Sequence, residues 1–68
     1  MITTLRISGM SCNHCVQHVT RALSAVGGVA HVDVDLSAGK ATVDHGEVTT
    51  AAALIGAVES AGYEAARA

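Results

Sequence analysis

Three features of this chain predict an α+β fold of βαββαβ order: two stretches with apolar residues at helical spacing, short alternating runs before, between and after them, and glycines at the junctions. From Ile2 to Ser8, Leu5 and Ile7 alternate with Thr4, Arg6 and Ser8, the pattern of a half-buried strand, and Gly9 ends it. Beyond the turn Gly9-Met10-Ser11, the residues Cys15, Val16, Val19, Ala22, Leu23 and Val26 fall on one face of a helix, which Gly27-Gly28 stops. Next, Val32, Val34 and Leu36 face one way and His31, Asp33 and Asp35 the other. Ser37-Ala38-Gly39-Lys40 then turns the chain into a short Ala41 to His45 strand with Val43 inward, which makes a β-hairpin. His31 and His45 are expected at strand ends or on the solvent side. After the Asp44-His45-Gly46-Glu47 loop, Thr49 or Thr50 caps a second helix, with Ala51, Leu54, Ile55, Val58 and Ala61 as its apolar face and Gly62 as its end. Tyr63 to Ala68 leave room for one short strand. The order is the split βαβ pattern of a ferredoxin-like sandwich, with two helices packed on one face of a four-stranded antiparallel sheet. A single domain is expected to span residues 1–68.

Composition narrows the function classes. The chain has 68 residues, half of them hydrophobic, with one aromatic and no proline, so its core must be built from Val, Leu, Ile and Ala. A chain this short hides only about 60% of the surface its unfolded form exposes, so modest stability is expected, and a bound metal would add to it. The basic residues Arg6, Arg21, Lys40 and Arg67 are scattered and the formal net charge is -2, which argues against a nucleic-acid partner. The longest apolar run, Ala51 to Val58, is well short of the roughly 20 residues of a membrane span, so no direct membrane insertion is expected. Met1 leads straight into the first strand without the pattern of an export signal, and a cytoplasmic setting is the expectation.

The two cysteines, Cys12 and Cys15, carry the chemical signal. In a reducing compartment such a pair reads as metal-binding or redox-catalytic. With Cys12 on the loop and Cys15 in the first helical turn, both sulfurs meet unpaired backbone N–H groups and the positive end of the helix dipole, which stabilise thiolate. Soft thiolates without a carboxylate or imidazole at a fixed spacing favour a soft ion, Cu(I) above all. Two thiolates satisfy a linear ion and leave it open to attack by a third, so the ion can pass to a partner without ever being free.

The run Gly9-Met10-Ser11-Cys12-Asn13-His14-Cys15-Val16, with Gly28-Val29 after the first helix and Ala61-Gly62-Tyr63-Glu64 after the second, resembles the heavy-metal-associated domain family, and within it the small bacterial copper chaperones. The resemblance runs over essentially the whole chain. It implies the ferredoxin-like fold, Cu(I) held by Cys12 and Cys15, no catalytic residues, and delivery by thiolate exchange to the metal-binding domains of a copper-transporting P-type ATPase. A copper-responsive repressor as a further receiver, and a copper-bridged homodimer through the cysteine faces that His14 would join, also follow from it. Met10 matches the family's methionine, implied to pack inward and shape the loop rather than to bind metal. Tyr63 matches the position of the bacterial chaperones' loop aromatic. Its hydroxyl can donate toward a sulfur, Cys15 by position, while its ring plugs the end of the aliphatic core.

His14 and His18 lie one helical turn apart, and spacing alone permits a zinc site with the two cysteines. Closing that site would bend both rings back over a helix start whose core face is already assigned, so solvated histidines are the expectation. The chain departs from the family in its last residues, Glu64 to Ala68, which lack β-branched side chains, so a short or frayed final strand is expected. It also lacks a basic cluster beside the cysteines, which leaves docking to rest on the apolar turn. A thiol–disulfide oxidoreductase of the thioredoxin kind would need the cis-proline that a chain without proline cannot supply. An RNA-binding module of the same topology would need aromatics on the sheet. Two alternatives stay open: a mercuric-ion carrier, since Hg(II) also accepts two thiolates in line, and a metal-binding domain of a copper ATPase. A chain running from Met1 to Ala68 without a linker favours an independent protein.

Overall fold

The computed structural model describes all residues, Met1–Ala68. Elements follow in the order β1 (Ile2–Ser8), α1 (Asn13–Ser24), β2 (Val29–Asp35), β3 (Lys40–His45), α2 (Ala51–Ser60) and β4 (Glu64–Arg67). The strands form one antiparallel sheet in the order β2-β3-β1-β4. The ferredoxin-like βαββαβ architecture expected from the sequence is the one observed, both helices lying over one sheet face.

Strand alternation selects that face. Leu5 and Ile7 of β1 and Ala41 and Val43 of β3 point toward the helices, and Val19, Leu23, Leu54 and Val58 meet them from α1 and α2. These eight residues form a wholly aliphatic core, and six of them are fully excluded from solvent together with Ala41. On the opposite sheet face Arg6, Lys40, Thr42 and Asp33 are exposed, and no aromatic side chain is there to stack on a base.

Helix α1 stops earlier than its apolar spacing suggests. It ends at Ser24, and Val26 lies beyond it, its N–H bonding the Leu23 carbonyl at 3.1 Å in a tightened last turn. Val26 still packs against the core, which is why its spacing reads as helical. Leu36 likewise falls outside β2, half-buried in the turn that Asp35 organises by accepting bonds from Ser37 Oγ at 2.8 Å and Ala38 N at 3.2 Å. The same bonds lower the Asp35 pKa, Ser37 most.

His45 ends β3, the strand-end position expected of it, but its side chain turns inward. It is not on the solvent side but buried, 3% exposed, because it shares the phase of Ala41 and Val43 along β3. Both ring nitrogens are used: Nδ1 donates to the Gly46 carbonyl at 2.8 Å, and Nε2 is hydrogen-bonded with the Thr3 hydroxyl at 2.6 Å. Its neighbour in this end of the molecule is Thr49, also buried, whose hydroxyl donates to the Gly27 carbonyl at 2.6 Å. Thr50, not Thr49, caps α2, accepting from Ala53 N at 3.2 Å. His31 is exposed, as expected.

The C-terminal end of α2 sets the position of Tyr63. Gly62, at φ +99, donates to the Glu59 carbonyl at 3.0 Å and Tyr63 N to the Val58 carbonyl at 3.3 Å, the paired bonds of a Schellman motif. Strand β4 is short but paired with β1 along its length, from Ser8 opposite Glu64 to Leu5 opposite Arg67.

Gly28 and Gly27 make a paired test of this packing. Gly28 has φ +88 and a Cβ there would run into the Thr49 hydroxyl, whereas a Cβ on Gly27 meets nothing within 4 Å. Gly28→Ala is expected to cost about 1–3 kcal/mol and Gly27→Ala to stay within about 0.5 kcal/mol of the parent chain in denaturant unfolding. Equal effects of the two substitutions would contradict the proposed close approach.

Candidate metal centre

The loop between β1 and α1 is shaped at its start by Gly9, at φ +98, a backbone conformation side chains rarely adopt, beside the Tyr63 ring. Met10 follows, half-buried and packed against the aliphatic core. This anchors the loop from below and delivers Cys12 to the position just before the helix. Cys12 is the N-cap residue, with extended backbone at φ -157 and ψ 174. Its carbonyl takes the bonds of Cys15 N at 3.1 Å and Val16 N at 3.3 Å.

Unlike a serine or threonine cap, the Cys12 side chain makes no capping bond. The N–H groups of Asn13 and His14 have no backbone or side-chain partner in the protein, and no acidic residue sits in the first turn. The helix start therefore keeps its positive end for the sulfurs. Cys12 is exposed and Cys15 half-buried, both free, with their Sγ atoms 3.8 Å apart.

Cys15 is poised as a thiolate. The Ser11 backbone N–H, then the Tyr63 hydroxyl, then the side chain and backbone N–H of Cys12 draw its pKa from 9.0 down to about 6, against a smaller rise from burial. These interactions favour the thiolate form of Cys15. Reciprocally, the Cys15 interaction, burial and the charge of the two sulfurs raise the Tyr63 pKa, so its hydroxyl keeps the proton it donates.

Of the residues singled out in the sequence, Cys12, Cys15 and Tyr63 come together here, and Met10 lies beneath them. His14 and His18 do not join: both are exposed, and no third Cys, His, Asp or Glu completes a metal-binding group with the sulfurs. Ser11 is the contributor that sequence reasoning missed. It acts through its backbone N–H, which no side-chain pattern reports; its place just before the N-cap is the one available signal.

The arrangement suits an ion that needs two sulfurs. With a metal–thiolate bond of about 2.3 Å, the zinc value, the observed spacing corresponds to a bent angle of about 110°, and a straight S–metal–S unit would part the sulfurs by about a further 0.8 Å. The exposed Cys12 side chain is free to make that adjustment. A tetrahedral ion would lack two of its four protein ligands, so a soft two-coordinate ion fits the donor set best.

Comparison with known proteins agrees with this geometry. The Heavy-metal-associated domain profile matches residues 4–64. The chain is 37% identical to the copper chaperone CopZ of Bacillus subtilis (strain 168) over 65 residues, 94% of each chain. It is 41% identical over 59 residues to a mercuric reductase of Shewanella putrefaciens, which covers 87% of this chain and 11% of that protein. It is also 41% identical over 61 residues to copper-transporting ATPase 2 of Rhizobium meliloti (strain 1021), 90% of this chain and 7% of that one. The chain thus spans about a tenth or less of the length of these two larger relatives. Among solved structures, a CopZ metallochaperone superposes with a TM-score of 0.93 at 31% identity, covering 97% of this chain and 100% of that one. By profile, sequence and fold, the chain belongs to the heavy-metal-associated domain family.

Proposed function

We propose that this chain is a Cu(I) carrier that holds the ion between Cys12 and Cys15 and passes it to a partner by thiolate exchange. The observation that carries this reading is a sulfur pair at an uncapped helix start, one member poised as thiolate, with no third protein ligand near it. The near-complete mutual coverage with a copper chaperone supports the cargo and the carrier role. Such a role asks for binding and release, not for catalysis, and a reducing setting such as the cytoplasm keeps both thiols free.

In the transfer step an incoming thiol loses its proton and forms a third sulfur–copper bond. One bond to Cys12 or Cys15 then breaks, and the released sulfur regains a proton. Copper remains Cu(I) throughout, so no oxidant or reductant is needed. Cys12, exposed and at the N-cap, is the more accessible to the incoming group and the first to leave. Cys15, half-buried, is the less accessible of the two and the later to exchange. The metal-binding domain of a copper-transporting P-type ATPase is the proposed receiver, supported by the relation to such ATPases. A copper-responsive repressor and a copper-bridged pair of these chains, with His14 at the bridge, are compatible with the same exposed site. The relation to a mercuric reductase favours one second reading, Hg(II) as cargo, because the same two sulfurs suit it.

Cys12→Ser and Cys15→Ser should each abolish one-to-one Cu(I) capture and transfer to a separately purified ATPase metal-binding domain, with the circular dichroism of the apo chain unchanged. Transfer surviving in either variant would remove that cysteine from the site. Preference for Hg(II) as the ion delivered, with no Cu(I) delivered, would favour the second reading.

Loss of the Tyr63 hydroxyl removes one of the groups that favour the thiolate. In Tyr63→Phe the Cys15 pKa should rise from about 6 toward, but not to, the ordinary 9.0, because the Ser11 N–H remains. The pH profile of thiol alkylation reads this directly: reactivity near pH 6 should fall while that above pH 9 stays, and an unshifted profile would deny the hydroxyl its role.

A further inference from the structure

Helix α1 carries a second pair of metal-ligating side chains, which an ion held between Cys12 and Cys15 of one chain leaves unused. His14 and His18 are separated by one helical turn and so share a face. Both are exposed, and their rings lie nearly parallel, 17° between planes, with centroids 6.3 Å apart. Neither ring makes a hydrogen bond to any protein group, in contrast to His45, whose two nitrogens are both engaged. Each ring can thus offer one nitrogen lone pair, two in all, at one spot on a helix whose first turn holds no acidic residue to pair with them.

We propose that His14 and His18 form a two-imidazole site for a borderline divalent cation of the Zn(II) kind, separate from the Cys12–Cys15 sulfur pair. Imidazole nitrogen suits Zn(II) and Ni(II) where thiolate sulfur suits Cu(I), so the two donor sets on this helix differ in the ions they favour. Two histidines one turn apart on a helix face are a spacing that holds zinc, with metal–nitrogen bonds of about 2.0–2.1 Å. No third protein ligand is at hand, so water completes the coordination and the ion exchanges readily.

The test removes the sulfurs as competitors. In the full chain carrying both Cys12→Ser and Cys15→Ser, calorimetric titration with Zn(II) should show one ion per chain. His14→Gln or His18→Gln should each weaken that binding by about tenfold or more, while His31→Gln leaves it unchanged. Because both histidines are exposed and make no bond, neither substitution should alter the fold. Side-chain NMR of the double-serine chain gives a readout that needs no histidine variant: Zn(II) should shift the ring signals of His14 and His18 and spare those of His31 and His45. Absence of saturable binding, binding unaffected by His18→Gln, or one Zn(II) per two chains would each overturn the proposal. The measurement is made without thiolates, so its outcome is independent of the Cu(I) reading.

Discussion

An α-helix begins with backbone N–H groups that have no carbonyl to bond, and the start of α1 directs this unspent positive end at sulfur instead of at a hydroxyl or carboxylate cap. A serine or aspartate in place of Cys12 would satisfy those groups internally and strengthen the helix. Cysteine leaves them available, at some expense of local stability, and a soft anionic pair gains from them. A two-thiolate Cu(I) unit carries net negative charge, so the helix start can hold it without a neighbouring lysine. None is present in the loop or in α1.

The rest of the fold serves to fix that helix start. An aliphatic core of eight residues sets α1 over the sheet, with Val19 and Leu23 as its contribution. At the near end, Met10 and Tyr63 pack under and beside the loop, and the Schellman turn at Gly62 aims Tyr63 at the site. The far end is closed by polar contacts: His45 bonded to Thr3 and Gly46, Thr49 bonded to Gly27, and Gly46 N bonded to the Gly28 carbonyl at 3.0 Å. Polar contacts close this end, while Cys12 stays exposed at the other.

Most of the fold was legible because its signals are local. Alternation at Leu5 and Ile7 marks a strand, the spacing of Val19 and Leu23 marks a helix, and Gly9 and Gly62 mark the two turns that flank the site. The sulfur pair and its position on the helix were equally plain from Cys12 and Cys15. His45 stands at the strand end expected of it, while its burial follows from its phase with Ala41 and Val43. Its partner Thr3 lies 42 residues away, a contact no local pattern contains. Thr49 and Thr50 were indistinguishable as caps for the same reason, since only the approach of Gly27 decides which hydroxyl is spent inside. The Ser11 contribution was invisible because it belongs to the backbone.

The most direct measurement is an anaerobic Cu(I) titration of the reduced wild-type chain against a chromophoric Cu(I) chelator, run beside a matched Zn(II) competition. One Cu(I) per chain retained against strong competition, with Zn(II) held far more weakly, is the expected result. Failure to retain Cu(I), or Zn(II) retained more tightly than Cu(I), would contradict a two-sulfur site built for a soft ion at the start of α1.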